Sequence, residues 1–169
     1  MRKNLVLLGM MGVGKTTLGK IVAKNQGFRF IDTDAKIEEK CLMTVSEIFE
    51  KKGEKFFRSE EEKCVLESLK KNNCIIALGG GAFINKMVRN AILKNAVSIW
   101  LDVDLKVLSK RIRWNKKRPL LNGKNNSKRI SKLYDERKKI YKLANYKISC
   151  EKLNKQQIVK KIISIYKND

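Results

Sequence analysis

The chain has 169 residues, with 39 Lys or Arg against 17 Asp or Glu and a formal net charge of +22. It contains no histidine, which excludes Ser-His-Asp and Cys-His triads, an imidazole general base and HExxH zinc sites. This length and a hydrophobic content of 43% fit one folded domain with a sizeable core, and the charge raises the question of a polyanionic partner.

Asn4 to Leu8 reads as a buried strand, and Gly9-Met-Met-Gly-Val-Gly14-Lys15-Thr16 follows it. The basic start and apolar run superficially resemble a signal peptide. The run is short, however, and enters Gly-Lys-Thr-Thr with no small-residue cleavage site. No apolar stretch reaches the length of a membrane span, so the expected location is cytoplasmic. Lys15 to Asn25 reads as a helix with Leu18, Ile21 and Val22 at helical spacing. Strand, GxxxxGK[ST] loop and helix in this order predict a phosphate cradle. Glycines let backbone N–H groups turn onto phosphate oxygens, and the helix N-terminus adds partial positive charge. Lys15 reaches the β- and γ-phosphates and the Thr16 hydroxyl ligates Mg2+.

Phe28 to Ile31 is a short strand leading into Asp32-Thr33-Asp34. If the chain stays extended there, the two carboxylates point to the same side, at the strand end where sites form. One could hold Mg2+ through water and the other orient a hydroxyl; Asp34 could equally cap the next helix. Residues 34 to 70 look helical, broken near Met43 and Gly53. Arg58, Glu61, Val65 and Leu69 share one helical face, so this arginine points inward and needs a partner, which Glu61 can supply. Cys74 to Leu78 is a third strand, ending in Gly79-Gly80-Gly81, where a ligand can approach the backbone closely.

Residues 86 to 95 suit a helix, Val97 to Leu101 a strand, 104 to 113 a helix and 114 to 125 a loop around Pro119. A long amphipathic helix is expected over 127 to 144. Its stripe is Ile130, Leu133, Tyr134, Tyr141 and Ala144, with Arg137 at the centre. Two inward arginines on different helices would make a clamp for a carboxylate or phosphate. Tyr146 to Cys150 is a weak last strand and 154 to 166 a closing helix. Apolar strands alternating with helices predict a three-layer α/β/α fold on a parallel sheet. Cys41, Cys64, Cys74 and Cys150 lie too far apart for a CxxC knuckle and read as reduced, mostly buried hydrophobes.

The joint order of GMMGVGKTTLGK (9–20), DTD (32–34), GEKFFRSEEE (53–62), GGG (79–81), RPLL (118–121) and YDERKKIYKLA (134–144) resembles the shikimate kinase family over nearly the whole chain. The resemblance implies a nucleoside monophosphate kinase-like fold with five parallel strands in order 2-3-1-4-5. It implies a core of 1–33, 73–111 and 126–169, a substrate-binding helical region over 34–72 and a mobile lid over 112–125. The implied reaction is ATP-dependent phosphorylation of the shikimate 3-hydroxyl, with Mg2+ as cofactor and ATP as co-substrate. Lys15, Asp34 and Arg118 would be catalytic. Gly12, Val13, Gly14, Lys15, Thr16, Thr17, Arg111 and Arg118 would bind ATP, with Arg111 stacking on adenine. Shikimate would meet Asp34, Arg58, Gly79, Gly80, Gly81 and Arg137, with Phe49 and Phe57 lining the pocket and Glu61 bracing Arg58. Thr16 would ligate Mg2+ directly and Asp32 through water. The expected partners are these two small molecules alone, with no nucleic acid, no membrane and a monomeric enzyme.

The chain departs from the family at Ser149 to Asn154, where an Arg and a Pro often complete the adenine pocket, and in a lid rich in Lys and Asn. Gluconate or nucleoside monophosphate kinases are the alternatives among enzymes, and a basic nucleic-acid-associated ATPase is the alternative outside them. The charge is uneven: residues 106–142 hold 15 basic and 2 acidic groups. A basic lid facing polyanionic ATP accounts for that excess locally.

Overall fold

The computed structural model describes residues 3–113 and 126–169. In chain order the elements are β1 (Asn4–Leu8), α1 (Lys15–Gln26), β2 (Arg29–Asp32), α2 (Thr33–Cys41), α3 (Val45–Leu69) and β3 (Cys74–Ala77). A 3-10 turn at Ala82–Ile84 precedes α4 (Lys86–Asn95), β4 (Ala96–Asp102), α5 (Leu105–Arg113), α6 (Asn126–Tyr141), β5 (Tyr146–Ser149) and α7 (Lys155–Asn168). The sheet has five parallel strands in order β2-β3-β1-β4-β5, as expected.

The central strands are uniformly apolar because helices cover both faces of a parallel sheet. Leu5, Val6, Leu7 and Leu8 are essentially inaccessible, as are Ile75 and Ile76 on one neighbour and Ile99 and Leu101 on the other. The one polar residue of β1, Asn4, is buried and satisfied. Its amide donates to the carbonyls of Leu69 and Lys71, and its oxygen accepts from Cys74 N–H. This pins the start of β1 to the turn before β3. A second, smaller cluster of Ile37, Ile48 and Phe57 joins α2 to α3 away from the main core.

Three local expectations change. The chain does not stay extended through Asp32-Thr33-Asp34: α2 opens at Thr33, and Asp32, not Asp34, is its N-cap, accepting from the N–H groups of Asp34 and Ala35. A capping carboxylate satisfies two donors that an extended chain would leave to water, so the helix starts earlier. The long amphipathic helix expected over 127 to 144 stops at Tyr141 as α6, leaving Ala144 beyond it. Cys74 and Cys150 are buried, but Cys41 and Cys64 are only half-buried, because they sit on α2 and α3 beside the smaller cluster.

The two breaks foreseen between 34 and 70 are present. Leu42 ends α2 in the left-handed region at φ 52°. Thr44 and Glu47 then open α3 with a reciprocal capping box. Within α3, Gly53 at φ 82° and ψ 166° kinks the helix. That conformation is open almost only to glycine.

Candidate active site

The carboxyl ends of β1, β2 and β3 converge on one cleft of about 420 Å3. Its floor is the Gly9–Thr16 loop. Gly9 runs so close to β4 that a Cβ there would stand 2.6 Å from the Leu101 carbonyl oxygen, and its φ is 138°. Gly14 caps α1 at φ 98°. The Lys15 ammonium is buried and donates to the carbonyls of Gly9 and Met10, both at 2.9 Å. It therefore lies along the loop itself. Val13 packs its side chain into the core, leaving its backbone for any phosphate, while Gly12, Gly14, Lys15, Thr16 and Thr17 line the cleft.

The Thr16 hydroxyl donates to Asp32 Oδ2 at 2.6 Å. Asp32 thus touches both the loop and the start of α2. Thr33, between the two aspartates, faces inward instead: its hydroxyl donates to the Ala77 carbonyl and accepts from Gly79 N–H at 2.9 Å. It ties the end of β2 to the glycine loop after β3. No group of three or more acidic or Cys side chains among the described residues could enclose a metal. The Thr16–Asp32 pair is nevertheless suited to Mg2+, which takes hard oxygen donors, keeps several waters and binds through one or two carboxylates plus substrate phosphates.

Opposite the loop stands Arg58. Its Nη1 donates to Glu61 Oε2 at 2.7 Å, and its Nε and Nη2 donate to Glu54 Oε1 at 3.2 and 3.1 Å. Phe57 and Phe49 sit beside the guanidinium, 5.4 and 5.9 Å from its carbon to their ring centres, and their own centres are 4.9 Å apart. Desolvation presses on this arginine, but the carboxylates of Glu61 and Glu54 raise its pKa overall. Glu61 is the more buried partner, and burial pushes its carboxyl above the ordinary glutamate range against the opposing pull of Arg58.

The glycine triplet makes room for these groups. A Cβ at Gly79 would meet Asp34 Oδ1 and Glu61 Oε1, one at Gly80 would stand 3.1 Å from Arg137 Nη1, and one at Gly81 would strike the Arg58 guanidinium. Gly80 and Gly81 line the cleft; Gly79 lies behind, where its hydrogen lets the two acids come in.

Arg137 reaches the cleft from α6 and is 6% exposed. One turn earlier, the Tyr134 hydroxyl donates to Asp102 Oδ1 at 2.8 Å, and Lys147 pairs with the same carboxylate at 2.9 Å. Burial and the Asp102 charge drive the Tyr134 hydroxyl's pKa up. This contact ties α6 to the end of β4.

Asp34, Arg58, Glu61, Phe49, Phe57 and Arg137 therefore all line the cleft that holds the phosphate loop. Arg118 and the rest of 114–125 lie outside the described residues, as does the side chain of Arg111 on α5. Met11, Ala35, Glu38, Val45 and Leu78 also line the cleft and were not foreseen. Glu38 follows Asp34 by one helical turn, and Val45 precedes Phe49 by one, so helical spacing could have found both.

Comparison with known proteins bears on the same residues. A family model for shikimate kinase matches residues 11–167. A shikimate kinase of Bartonella henselae is 41% identical over 159 residues, covering 94% of this chain and 76% of that protein. The solved shikimate kinase from Acinetobacter baumannii in complex with shikimate superposes with a TM-score of 0.95 at 30% identity, covering 99% of this chain and 94% of that one. A gluconokinase from Sinorhizobium meliloti, at 12% identity and a TM-score of 0.61, covers 99% of this chain and 94% of its own and shares the fold alone. With its inward arginines, its glycine triplet and all but the first two residues of its phosphate loop in the matched stretch, the chain belongs to the shikimate kinase family.

Proposed function

We propose that this protein transfers the γ-phosphoryl group of ATP to the 3-hydroxyl of shikimate, giving shikimate 3-phosphate and ADP for aromatic amino-acid biosynthesis. The observation that carries the reading is the pair Arg58 and Arg137, from different helices, in one cleft with the phosphate loop and Asp34. A carboxylate between two guanidinium groups is held in fixed orientation. That leaves the ring hydroxyls toward Asp34 and the loop.

Asp34 orients the attacking hydroxyl and accepts its proton as the bond to phosphorus forms. The transition state is loose, so little prior deprotonation is needed and positioned positive charge does most of the work. Lys15 supplies part of that charge by leaving the carbonyls of Gly9 and Met10 for the phosphates. Arg118 supplies more. Thr16 and Asp32 would hold Mg2+, which when bound neutralises charge on the β- and γ-phosphate oxygens. Phe49 and Phe57 wall the ring. All these residues come from one chain, so the reading needs no second copy. No helix among the described residues is long and apolar enough to cross a membrane.

The test is ADP formation by the purified protein with Mg2+ and a panel of acceptors. Shikimate should accelerate it, and gluconate, nucleoside monophosphates and DNA should not. Equal rates with and without shikimate refute the reading. Arg118→Ala should lower kcat far more than it raises either KM.

A further inference from the structure

β2 and β3 pair in parallel, with Arg29 beside Cys74 and Asp32 beside Ala77. Arg29 N–H donates to the Asn73 carbonyl at 3.0 Å. Strands repeat every two residues, so Ile31 and then Thr33 are next in line to bond to β3. In that register Thr33 faces the Ala77 carbonyl and the Gly79 N–H. Its backbone does not meet them as a strand would, because α2 opens at this residue. The Thr33 carbonyl has turned to α3, where it accepts from Cys64 Sγ at 3.8 Å. The side chain takes over. Its hydroxyl donates to the Ala77 carbonyl at 3.3 Å and accepts from Gly79 N–H at 2.9 Å. One hydroxyl thus supplies both the donor and the acceptor of a ladder step, after the chain has already left the sheet. Thr33 is wholly buried, so both β3 groups depend on it and not on solvent.

We propose that Thr33 is a positioning residue that holds Asp34 in register with the glycine triplet, and so sets the span between the two ends of the acceptor site. The assignment rests on the function proposed above. Asp34, the next residue, serves the attacking hydroxyl. Gly80 and Gly81 directly follow the bonded N–H, and they face Arg137 and Arg58, which take the carboxylate. The acceptor's carboxylate and hydroxyl sit on one ring at a set separation, so both ends fit only while the protein keeps that span. Reacting groups lose efficiency steeply once they are misplaced by about 1 Å. The phosphate loop is held by different contacts, Gly9 against the Leu101 carbonyl and Lys15 on Gly9 and Met10, so ATP lies outside this span.

Thr33→Val keeps the shape of the side chain and removes its donor and acceptor, whereas Thr33→Ser keeps the hydroxyl and loses only the methyl. For Thr33→Val, kcat/KM for shikimate should fall about 100-fold, with the ATP KM within about two-fold of wild type. Thr33→Ser should stay within about three-fold of wild type for both substrates. Unchanged shikimate kinetics in folded Thr33→Val overturn the proposal. So does an ATP KM that rises as far as that for shikimate, or Thr33→Ser as impaired as Thr33→Val, because the residue would then serve the fold at large. If Thr33→Val does not fold, Thr33→Ser and Thr33→Ala decide the matter, since both lack the methyl and only serine has the hydroxyl. Serine should then be better than alanine by about five-fold or more in kcat/KM for shikimate, and equal values overturn the proposal. Wild-type turnover is the control. Its absence with shikimate refutes both the function and this assignment, whereas active wild type with an indifferent Thr33→Val refutes the assignment alone.

Discussion

Gly81→Ala separates the clamp arginine from the stability of the fold. Gly81 has φ −99° and ψ −17°, which alanine adopts without strain. The added methyl would stand 2.8 Å from Arg58 Cζ and 2.9 Å from its Nη2. Carbon pairs settle at about 3.5–4.0 Å, so the guanidinium must retreat by about 0.7–1.2 Å. That movement pulls Nη1 from Glu61, with which it forms a 2.7 Å contact, and shifts the fork from the carboxylate it is proposed to bind. A displacement near 1 Å costs about 100-fold in catalytic efficiency, or ~2.7 kcal/mol. Two pairs bear on stability: Glu54 is 58% exposed and its pair is worth up to ~1 kcal/mol, whereas Glu61 is 4% exposed, and losing a buried partner outright costs about 3–5 kcal/mol. The guanidinium shifts without leaving, so a Tm loss below about 10 °C is expected. The assay is ADP release against shikimate concentration at saturating ATP, alongside thermal unfolding. The shikimate KM should rise steeply, and Gly81→Ala added to Arg58→Ala should make matters no worse. An unchanged KM at unchanged Tm would refute the placement of Arg58 in the acceptor site. A Tm loss beyond about 10 °C would refute the claim that the side chain yields instead of the fold.

Leu42→Gly should stabilise the protein. Leu42 is 91% exposed, so its side chain contributes little packing, and its left-handed backbone costs about 1–2 kcal/mol against about 0.5–1 for glycine's extra freedom. A gain near ~0.5–1 kcal/mol, about 1–4 °C in Tm, is the outcome to check by thermal or urea unfolding. Asp32→Asn should keep the α2 cap, since asparagine caps as well as aspartate, but raise the Mg2+ concentration needed for half-maximal turnover. An unchanged Mg2+ requirement would remove Asp32 from the metal's surroundings. Glu61→Gln tests a pH effect. The folded-state pKa of Glu61 is raised by burial, so the folded protein holds this proton more tightly than the unfolded chain. The contribution to stability is present below the ordinary glutamate pKa and is lost as pH rises through the raised value. Subtracting the urea-unfolding profile of Glu61→Gln from that of wild type should isolate this fall, and a flat difference would contradict it.

The sheet was legible because parallel strands covered on both faces must be apolar throughout, and Leu5 to Leu8 and Cys74 to Ala77 read that way without ambiguity. The two inward arginines were legible for the opposite reason: Arg58 and Arg137 are charges placed on otherwise apolar helical stripes. The Asp32–Asp34 geometry was misread because the spacing of two acids does not say where a helix begins. The cap at Asp32 decided it, and turned Thr33 inward. Nor did spacing reveal why the glycine triplet needs all three members. Gly79, Gly80 and Gly81 each face a different distant group, namely the Asp34–Glu61 pair, Arg137 and Arg58, and such contacts exist only once the sheet has assembled. Glu54 lies four residues before Arg58, directly after the kink at Gly53, and joins Glu61 in holding the guanidinium.

The place of β1 in the sheet has a consequence for how the protein is made. Its partners are distant along the chain: Leu5 lies beside Ile75 on one side and Val97 on the other. At about 5–20 residues per second on a ribosome, β1 waits roughly 5–20 s before both neighbours exist. Its apolar residues have no partner strand until β3 is made, and none on their other side until β4 follows. The helices α2 and α3, with their own small cluster of Ile37, Ile48 and Phe57, need no such wait. Closure by long-range pairing is intrinsically slow and exposes unpaired strand edges. The phosphate loop, although made before β3 and β4, therefore acquires its shape only after β4 arrives to carry the Leu101 carbonyl against Gly9. Weakening β4 should leave newly made chains aggregating with an intact α2–α3 cluster and no formed phosphate loop.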